Sequence, residues 1–303
     1  MEVKYSIIIP HYNDYYRLYQ LLKSIPLSRP DIQTIVVDDC SPKPHELTPL
    51  KTKYTQIDWL STTTNSGAGA ARNLGLAKVK GKYLLFADSD DQFTKDAFTI
   101  LDNNLDDMTE LTYFLATAVK EDSQTPSNRA DRYNHFCLQY LKQPSDKHLL
   151  SLKCEHVVPW AKVYNATTVK KLGIKFTESR NNDDTAFNVK NALQMKSTKV
   201  IPKEIYVIFE REGSITTKTD TESLLESITV LANLAKELNT MGVRHNLAAS
   251  GYLIRALRHG PIIFIKVLKL ARQSGLKLGF SRLFNLSRWV DFIKTHTISY
   301  YKK

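Results

Sequence analysis

Residues 81–91 read Gly81-Lys82-Tyr83-Leu84-Leu85-Phe86-Ala87-Asp88-Ser89-Asp90-Asp91, an apolar run that ends in four polar residues, three of them acidic. A short apolar run bounded this way is a buried strand, and its acidic end marks the edge of a sheet. Carboxylates gathered at a strand end present hard oxygen donors, which suit Mg2+ or Mn2+ together with phosphate oxygens. Asp88 and Asp90 repel one another, and a divalent cation carrying a nucleotide diphosphate compensates them. The competing reading is a solvated acidic turn that caps the following helix.

The flanking sequence repeats the pattern. Tyr5 to Pro10 and Ile32 to Val37 are buried-strand runs, with Ile57 to Leu60 weaker and Leu111 to Val119 stronger. Between them, Tyr15 to Ser24 carries leucines at helical spacing, and Gly67 and Gly69 open a helix through Lys78. Buried strands alternating with helices predict an α/β fold with a mostly parallel central sheet and helices on both faces. In such sheets ligands bind beyond the carboxyl ends of the strands. Tyr12-Asn13, Asp38-Asp39 and Asp88 to Asp91 all fall there.

Further along, residues 120–153 read as a polar, irregular segment with one helical patch at Phe136 to Leu141. Val157 to Tyr164 reads as strand, Thr167 to Leu172 and Phe187 to Met195 as helices, and Val200 to Phe209 as an edge strand because of Pro202. From Ser223 onward the chain reads as a helical C-terminal extension.

The composition is that of a soluble globular protein, with 42% hydrophobic and 24% charged residues in 303. There is no apolar run of membrane-spanning length and no leader-like start. Three cysteines without metal-binding spacing fit a reduced, cytoplasmic setting. The net charge of +11 is uneven: residues 251–303 hold eleven Lys and Arg against Asp291 alone, leaving about +1 for the rest.

Several nucleotide motifs are excluded. Gly67-Ala68-Gly69-Ala70-Ala71-Arg72 lacks the third glycine of a dinucleotide fingerprint and does not follow the first strand. Gly75 to Lys82 has one residue too many for a phosphate loop, and Tyr83 stands where a magnesium-binding hydroxyl is needed. The histidines form no zinc-hydrolase pair.

Ser6 to Asn13, Val36 to Ser41, Asn65 to Gly75 and Gly81 to Asp91 together resemble, in order and spacing, the inverting family-2 glycosyltransferases. The similarity continues more weakly through Pro159 to Tyr164, Asp183 to Phe187 and Arg211 to Thr216. The resemblance implies a single Rossmann-like nucleotide-diphospho-sugar transferase domain of GT-A type over residues 1–216. Residues 1–105 would form its nucleotide-binding half, 106–216 its acceptor-binding half, and 217–303 a basic helical region.

The roles that the resemblance implies are specific. Pro10, Tyr12 and Asn13 border the nucleobase, and Asp39 accepts a hydrogen bond from its imide, which favours uracil. Arg72 lies near the uridine or diphosphate. Asp88 holds the ribose or the metal's water shell, and Asp90 coordinates Mn2+ or Mg2+. Asp184 matches the second acid of the family's paired-acid motif, the catalytic base, while Asp183 replaces the usual Glu. Arg211 and Ser214 add contacts to the departing diphosphate.

Bland readings stand beside these. Asp184 or Asp183 caps the helix at Phe187, Arg211 is surface charge, and Trp160 is core rather than a sugar platform. Basic residues at helical spacing with interleaved Ile, Trp and Phe in 251–303 read as a peripheral anchor at an anionic membrane face, or as a helical cap with a solvated basic side. No nucleic-acid-binding fold accompanies them. The expected function is metal-dependent transfer of a sugar from a UDP-sugar to a glycan or lipid-linked acceptor in bacterial surface polysaccharide synthesis, at the inner face of the plasma membrane. The rivals are a sugar-nucleotide pyrophosphorylase and a non-catalytic binding module.

Overall fold

The computed structural model of the protein describes residues 2–179, 182–211 and 220–279. The chain divides into two compact units, residues 1–218 and 219–303. The first is built on one eight-stranded sheet in the order β3-β2-β1-β4-β7-β6-β8-β5.

Its N-terminal half is parallel throughout. β1 (Tyr5–His11) lies between β2 (Ile32–Asp38) and β4 (Tyr83–Phe86), and β3 (Asp58–Ser61) flanks β2. These strands are mostly buried, as the near-continuous Ile, Val and Leu of β1 and β2 require of strands covered on both faces. The chain winds from β1 outward to β3, then returns to the other side of β1 as β4. The crevice beyond the carboxyl ends of β1 and β4 is therefore the topological switch point, where such sheets hold ligands.

The second half is mixed. β7 (Lys162–Asn165) runs antiparallel to both β4 and β6 (Leu111–Lys120), and β6 pairs parallel with β8 (Thr198–Glu210). β8 is not the edge strand its proline suggests: the short β5 (Gln92–Phe93) pairs antiparallel beyond it. Pro202 falls where the β6–β8 register shifts between the Tyr113–Val200 and Leu115–Glu204 pairs. A residue without an N–H is tolerated at such a bulge. β7 is shorter than the run Val157 to Tyr164 predicts, and Ala161, with φ of 51°, sits just before it in a left-handed conformation that extended backbone excludes.

The helices follow their apolar spacing. In α1 (Tyr15–Ser24), Leu18, Leu21 and Leu22 are buried, and Asp14 caps the first turn. α2 (Thr48–Lys53) and α3 (Ala68–Leu76) cover the parallel half, and α4 (Ala97–Asn104) follows β5. Residues 120–153 are more regular than their polarity suggests, holding α5 (Asp131–Lys142) and α6 (Asp146–Glu155). Their burial is narrow: Cys137 is the buried apolar residue of α5, and Leu152 and Cys154 those of α6. A seam so thin leaves little periodicity to read. α7 (Ala166–Leu172) and α8 (Thr185–Gln194) complete the unit.

The second unit holds α9 (Thr221–Thr240), α10 (Ser250–Leu257) and α11 (Pro261–Gln273). Leu224, Ile228, Leu231 and Ala235 bury one stripe of α9, and Asp220 caps it through the Ser223 N–H. Among the described residues no helix is long and apolar enough to cross a membrane.

Where β6 departs from regular pairing, Asn134 of α5 stands in for a strand. Its side-chain oxygen accepts from the Ala116 N–H at 3.0 Å and its amide donates to the Ala116 carbonyl at 2.7 Å. Asn134→Ala leaves both groups of a buried residue unpaired, and should lower stability by about 1–3 kcal/mol in urea unfolding. A loss under about 0.5 kcal/mol would show that water replaces the amide.

Candidate active site

The site is assembled around one guanidinium. Arg72, on α3, is only 5% exposed. Its Nη2 donates to Asp88 Oδ1 at 2.6 Å, beyond β4, and its Nη1 to Asp183 Oδ2 at 2.7 Å, ahead of α8. Its Cζ stands 5.3 Å from the Phe176 ring centre, and Phe176 stacks on Phe187 at 3.9 Å. The fork joins acids far apart in sequence. It does so on an apolar floor, where charge interactions are stronger than in water.

The close approach of α3 depends on Gly69. A Cβ there would meet the Thr177 carbonyl oxygen at 2.2 Å and the Asp183 Cβ at 3.1 Å. Thr177 in turn donates its N–H to the Asp183 carbonyl at 3.0 Å, which holds the acid loop against the helix.

Beyond β4 the acids take different partners. The Asp88 N–H donates to the Tyr206 hydroxyl at 2.8 Å, and Tyr206 stacks on Trp160 at 5.7 Å. Trp160 is thereby core, 6% exposed. Asp90 accepts from Arg211 Nη2 at 2.7 Å, and Arg211 also reaches Asp14 at 3.3 Å. Asp14 pairs with Arg17, which grips Glu121 with two hydrogen bonds. Asp91 is buried and accepts the Phe209 N–H at 3.0 Å, tying β4's end to β8.

Burial, and then the nearby Asp88, push the Asp90 carboxyl up; burial, and then Asp90, do so more strongly for Asp91. Five acids, Asp88, Asp90, Asp91, Asp183 and Asp184, meet four cations, Arg72, Arg129, Lys162 and Arg211, so negative charge is in excess. Asp88 and Asp90 thus fit a hard divalent cation by donor chemistry and by charge. Among the described residues no three His, Cys, Asp or Glu side chains form a metal cage. A cation held by one or two carboxylates and by substrate phosphates does not require one.

Asp184 occupies the N-cap position of α8, but its side chain makes no capping hydrogen bond. Burial first, then Asp183, raise its carboxyl to about 7 against the opposing pull of Arg72. Asp183 is raised by burial as well, with Arg72 pulling it down. One acid is therefore clamped and its neighbour is left without a cap to make.

The expected base pocket lies at the ends of β1 and β2. Pro10 is buried within β1, while Tyr12 is 48% exposed and Asn13 is exposed with φ of 52°. The Asn13 N–H donates to Ser41 Oγ at 2.8 Å, and Ser41 donates to Asp38. Asp39 is more occupied than its expected role suggests. Oδ1 accepts from Thr62 Oγ1 at 2.8 Å and the Ser66 N–H at 3.1 Å, and Oδ2 accepts the Gly67 N–H at 2.6 Å. Only Oδ2 keeps a lone pair for a further donor among these contacts. Ser214 and the basic residues from 282 onward lie outside the described residues.

The crystal structure of Staphylococcus aureus TarS residues 1–349 in complex with UDP-GlcNAc matches this fold with a TM-score of 0.62. The match has 20% identity and covers 89% of this chain and 72% of that one. A mannosyltransferase from Pyrobaculum calidifontis, solved with GDP-Man and Mn2+, matches with a TM-score of 0.51 at 14% identity, over 90% and 70% of the two chains. The fold is that of the GT-A glycosyltransferases.

The family model described as "Glycosyl transferase family 2" matches residues 6–173, and the chain belongs to that family. It is 25% identical, over 70% of its length and 36% of the relative's, to the poly(ribitol-phosphate) beta-N-acetylglucosaminyltransferase TarS of S. aureus strain MW2. Over 31% of its length and 16% of the relative's, it is 37% identical to a poly(ribitol-phosphate) beta-glucosyltransferase of Bacillus spizizenii. The chain thus spans about a third or less of the length of these relatives.

Tyr206 and the Asp14–Arg17–Glu121 chain were not legible as site elements in the sequence, and Asp91 was legible only as part of the acidic run, with no role of its own. Each acts through a partner more than 100 residues away, apart from the local Asp14–Arg17 contact. Arg72→Met strands two carboxylates and should cost about 3–5 kcal/mol in urea unfolding. Arg72→Lys, which restores charge without the fork, should recover only part of it. Wild-type stability in Arg72→Met would mean that water already shares the bridge.

Proposed function

We propose that the protein transfers a sugar from a UDP-sugar to a hydroxyl of a glycan or lipid-linked acceptor, with inversion and with Mn2+ or Mg2+. The observation that carries the reading is the pair of acids ahead of α8: Asp183 held by Arg72, and Asp184 uncapped and raised to about 7. An acid titrating near neutrality and within electrostatic reach of Asp88 suits a general base.

Asp184 accepts the proton of the acceptor hydroxyl as that oxygen attacks the anomeric carbon. The bond from this carbon to the diphosphate oxygen breaks on the opposite face, and UDP leaves with the electron pair. Asp88 and Asp90 would hold the cation, which when bound supplies positive charge to the leaving diphosphate. Arg72 keeps Asp88 and Asp183 in place, and Arg211 does so for Asp90. Tyr12, Asn13 and Asp39 border the nucleobase. The relatives named for poly(ribitol-phosphate) favour an acceptor among bacterial surface polymers.

A UDP-sugar panel assayed for UDP release decides the class. One or more donors should release UDP in a way that EDTA stops and Mn2+ restores. Formation of UTP and sugar 1-phosphate when pyrophosphate is added, or no turnover of any donor, would contradict it.

Asp184→Asn should keep UDP-sugar binding and lose transfer by about 10²-fold or more. In the wild type kcat/KM should rise with pH through a limb near 7, because the base must be ionised. The stability effect has the opposite sign. A carboxyl raised on folding opposes the native state increasingly as pH climbs from its unfolded value, and fully above about 7. Asp184→Asn should therefore stabilise the protein against urea more at pH 8 than at pH 5. An equal effect at both pH values would remove the raised acid from the account.

The second unit supports a further part of the proposal, attachment to an anionic membrane surface. On α11, Ile262, Ile265, Lys266, Lys269 and Arg272 are exposed, the two isoleucines 79% and 62%. At about 100° per residue they share one arc, and α11 contains no acid. Exposed isoleucine between cations on an acid-free helix suits an anionic bilayer. Full-length protein should sediment with phosphatidylglycerol vesicles, less so as salt rises. Ile262→Glu with Lys269→Glu should release it, and unchanged pelleting would return α11 to an ordinary solvated helix.

A further inference from the structure

We propose that Lys162 is a positioning residue for Asp184, acting from beneath the site through Asn188 and through the charge of its ammonium. The proposal rests on the reading of Asp184 as the base.

Lys162 opens β7 and is 1% exposed. Its ammonium donates to the Asn188 Oδ1 at 3.0 Å and to the His156 carbonyl, and lies 5.1 Å from the Tyr113 ring centre. Among the described residues no carboxylate pairs with it directly. A buried lysine satisfied only by neutral acceptors is costly. It is therefore a feature to be explained by more than packing.

The connection to Asp184 is short. Asn188 sits one turn into α8, fully buried. Its Oδ1 accepts from both Lys162 and the Tyr164 hydroxyl, which fixes the orientation of the amide. Its Nδ2 then points the other way and donates to the Asp184 carbonyl at 2.8 Å, which also accepts the Asn188 N–H at 3.0 Å. The first turn of α8, and Asp184 with it, is thus pinned to β7.

The charge acts in the same direction. Burial lowers Lys162 to about 7, with Cys137 and Asp184 pulling it back up. The other groups around it are held neutral by burial: Cys137 on α5 is pushed up to about 12, the Tyr113 and Tyr164 phenols are raised, and His156 is lowered. Asp184 feels Asp183 and Asp88 pushing it up, and Arg72 and Lys162 pulling it down. Near neutral pH, the ammonium of Lys162 therefore favours the ionised Asp184, and Asp184 favours the ammonium.

Lys162→Met, close in length but uncharged, should leave UDP-sugar binding unchanged and lower kcat. It should also move the acid limb of kcat/KM to higher pH by about half a unit or more, since losing a nearby cation makes a carboxyl harder to ionise. Tyr164→Phe, measured in parallel, keeps the cation and removes one hydrogen bond from Asn188. It should lower kcat with the donor KM and the limb unmoved.

A lowered kcat with an unmoved limb in Lys162→Met would overturn the electrostatic role, because loss of packing alone does not shift a titration. Full kcat in Tyr164→Phe would overturn the positional role, whether or not Lys162→Met folds. Asp184→Asn separates the two levels. If it keeps turnover, the base assignment itself falls; if it is inactive while the Lys162→Met profile matches wild type, only the Lys162 proposal falls.

Discussion

The first unit depends on a buried guanidinium. Arg72 cannot shed its charge, and at 5% exposure it is nearly cut off from water, so its hydrogen bonds must come from the protein. Asp88 and Asp183 take the two Nη groups, one from the end of a strand and one from the loop ahead of a helix, while Nε is buried without a partner among the described residues. Meeting that need brings the parallel half of the sheet to the acid pair that lies between β7 and β8 of the mixed half. Phe176 and Phe187 floor the bridge, and the absence of a side chain at Gly69 lets α3 come close enough to make it.

The same arrangement serves folding poorly and chemistry well. Asp90, Asp91, Asp183 and Asp184 are all raised by burial, so their ionisation works against the folded state. Arg72, Arg129, Arg211 and Lys162 moderate the repulsion without cancelling it. On the proposed reading, a cluster left short of positive charge would take a cation and an anionic donor, and the uncapped Asp184 would take a proton. The Asp39 carboxylate is occupied by the loop after β3, accepting from Thr62, Ser66 and Gly67.

The sequence made the parallel half legible because β1, β2 and β4 are short, buried and continuous, and their polar ends fall at a sheet edge by construction. The extent of α1 was equally open, with Leu18, Leu21 and Leu22 on one stripe. Asp88 and Asp90 stood out in the sequence because they follow a strand, and Asp183 and Asp184 were singled out through the family resemblance. What stayed hidden depends on tertiary placement. α5 and α6 bury too few residues to show a period, Ala161 shortens β7 by its backbone conformation, and β8 gains a neighbour from a two-residue strand. Lys162, Asn188 and Tyr206 look like ordinary core or surface positions until the fold sets them under Asp184 and Asp88.

The most direct test of the Arg72 bridge is a double-mutant cycle on Asp88→Asn and Asp183→Asn, read by urea unfolding in wild-type and Arg72→Met backgrounds. With Arg72 present, the second substitution should differ from the first by a coupling energy above about 1 kcal/mol, because it removes the last charged partner of a buried cation. In the Arg72→Met background that coupling should change sharply or vanish. Additivity within about 0.5 kcal/mol in the presence of Arg72 would mean that the two halves of the site are not held together by this residue.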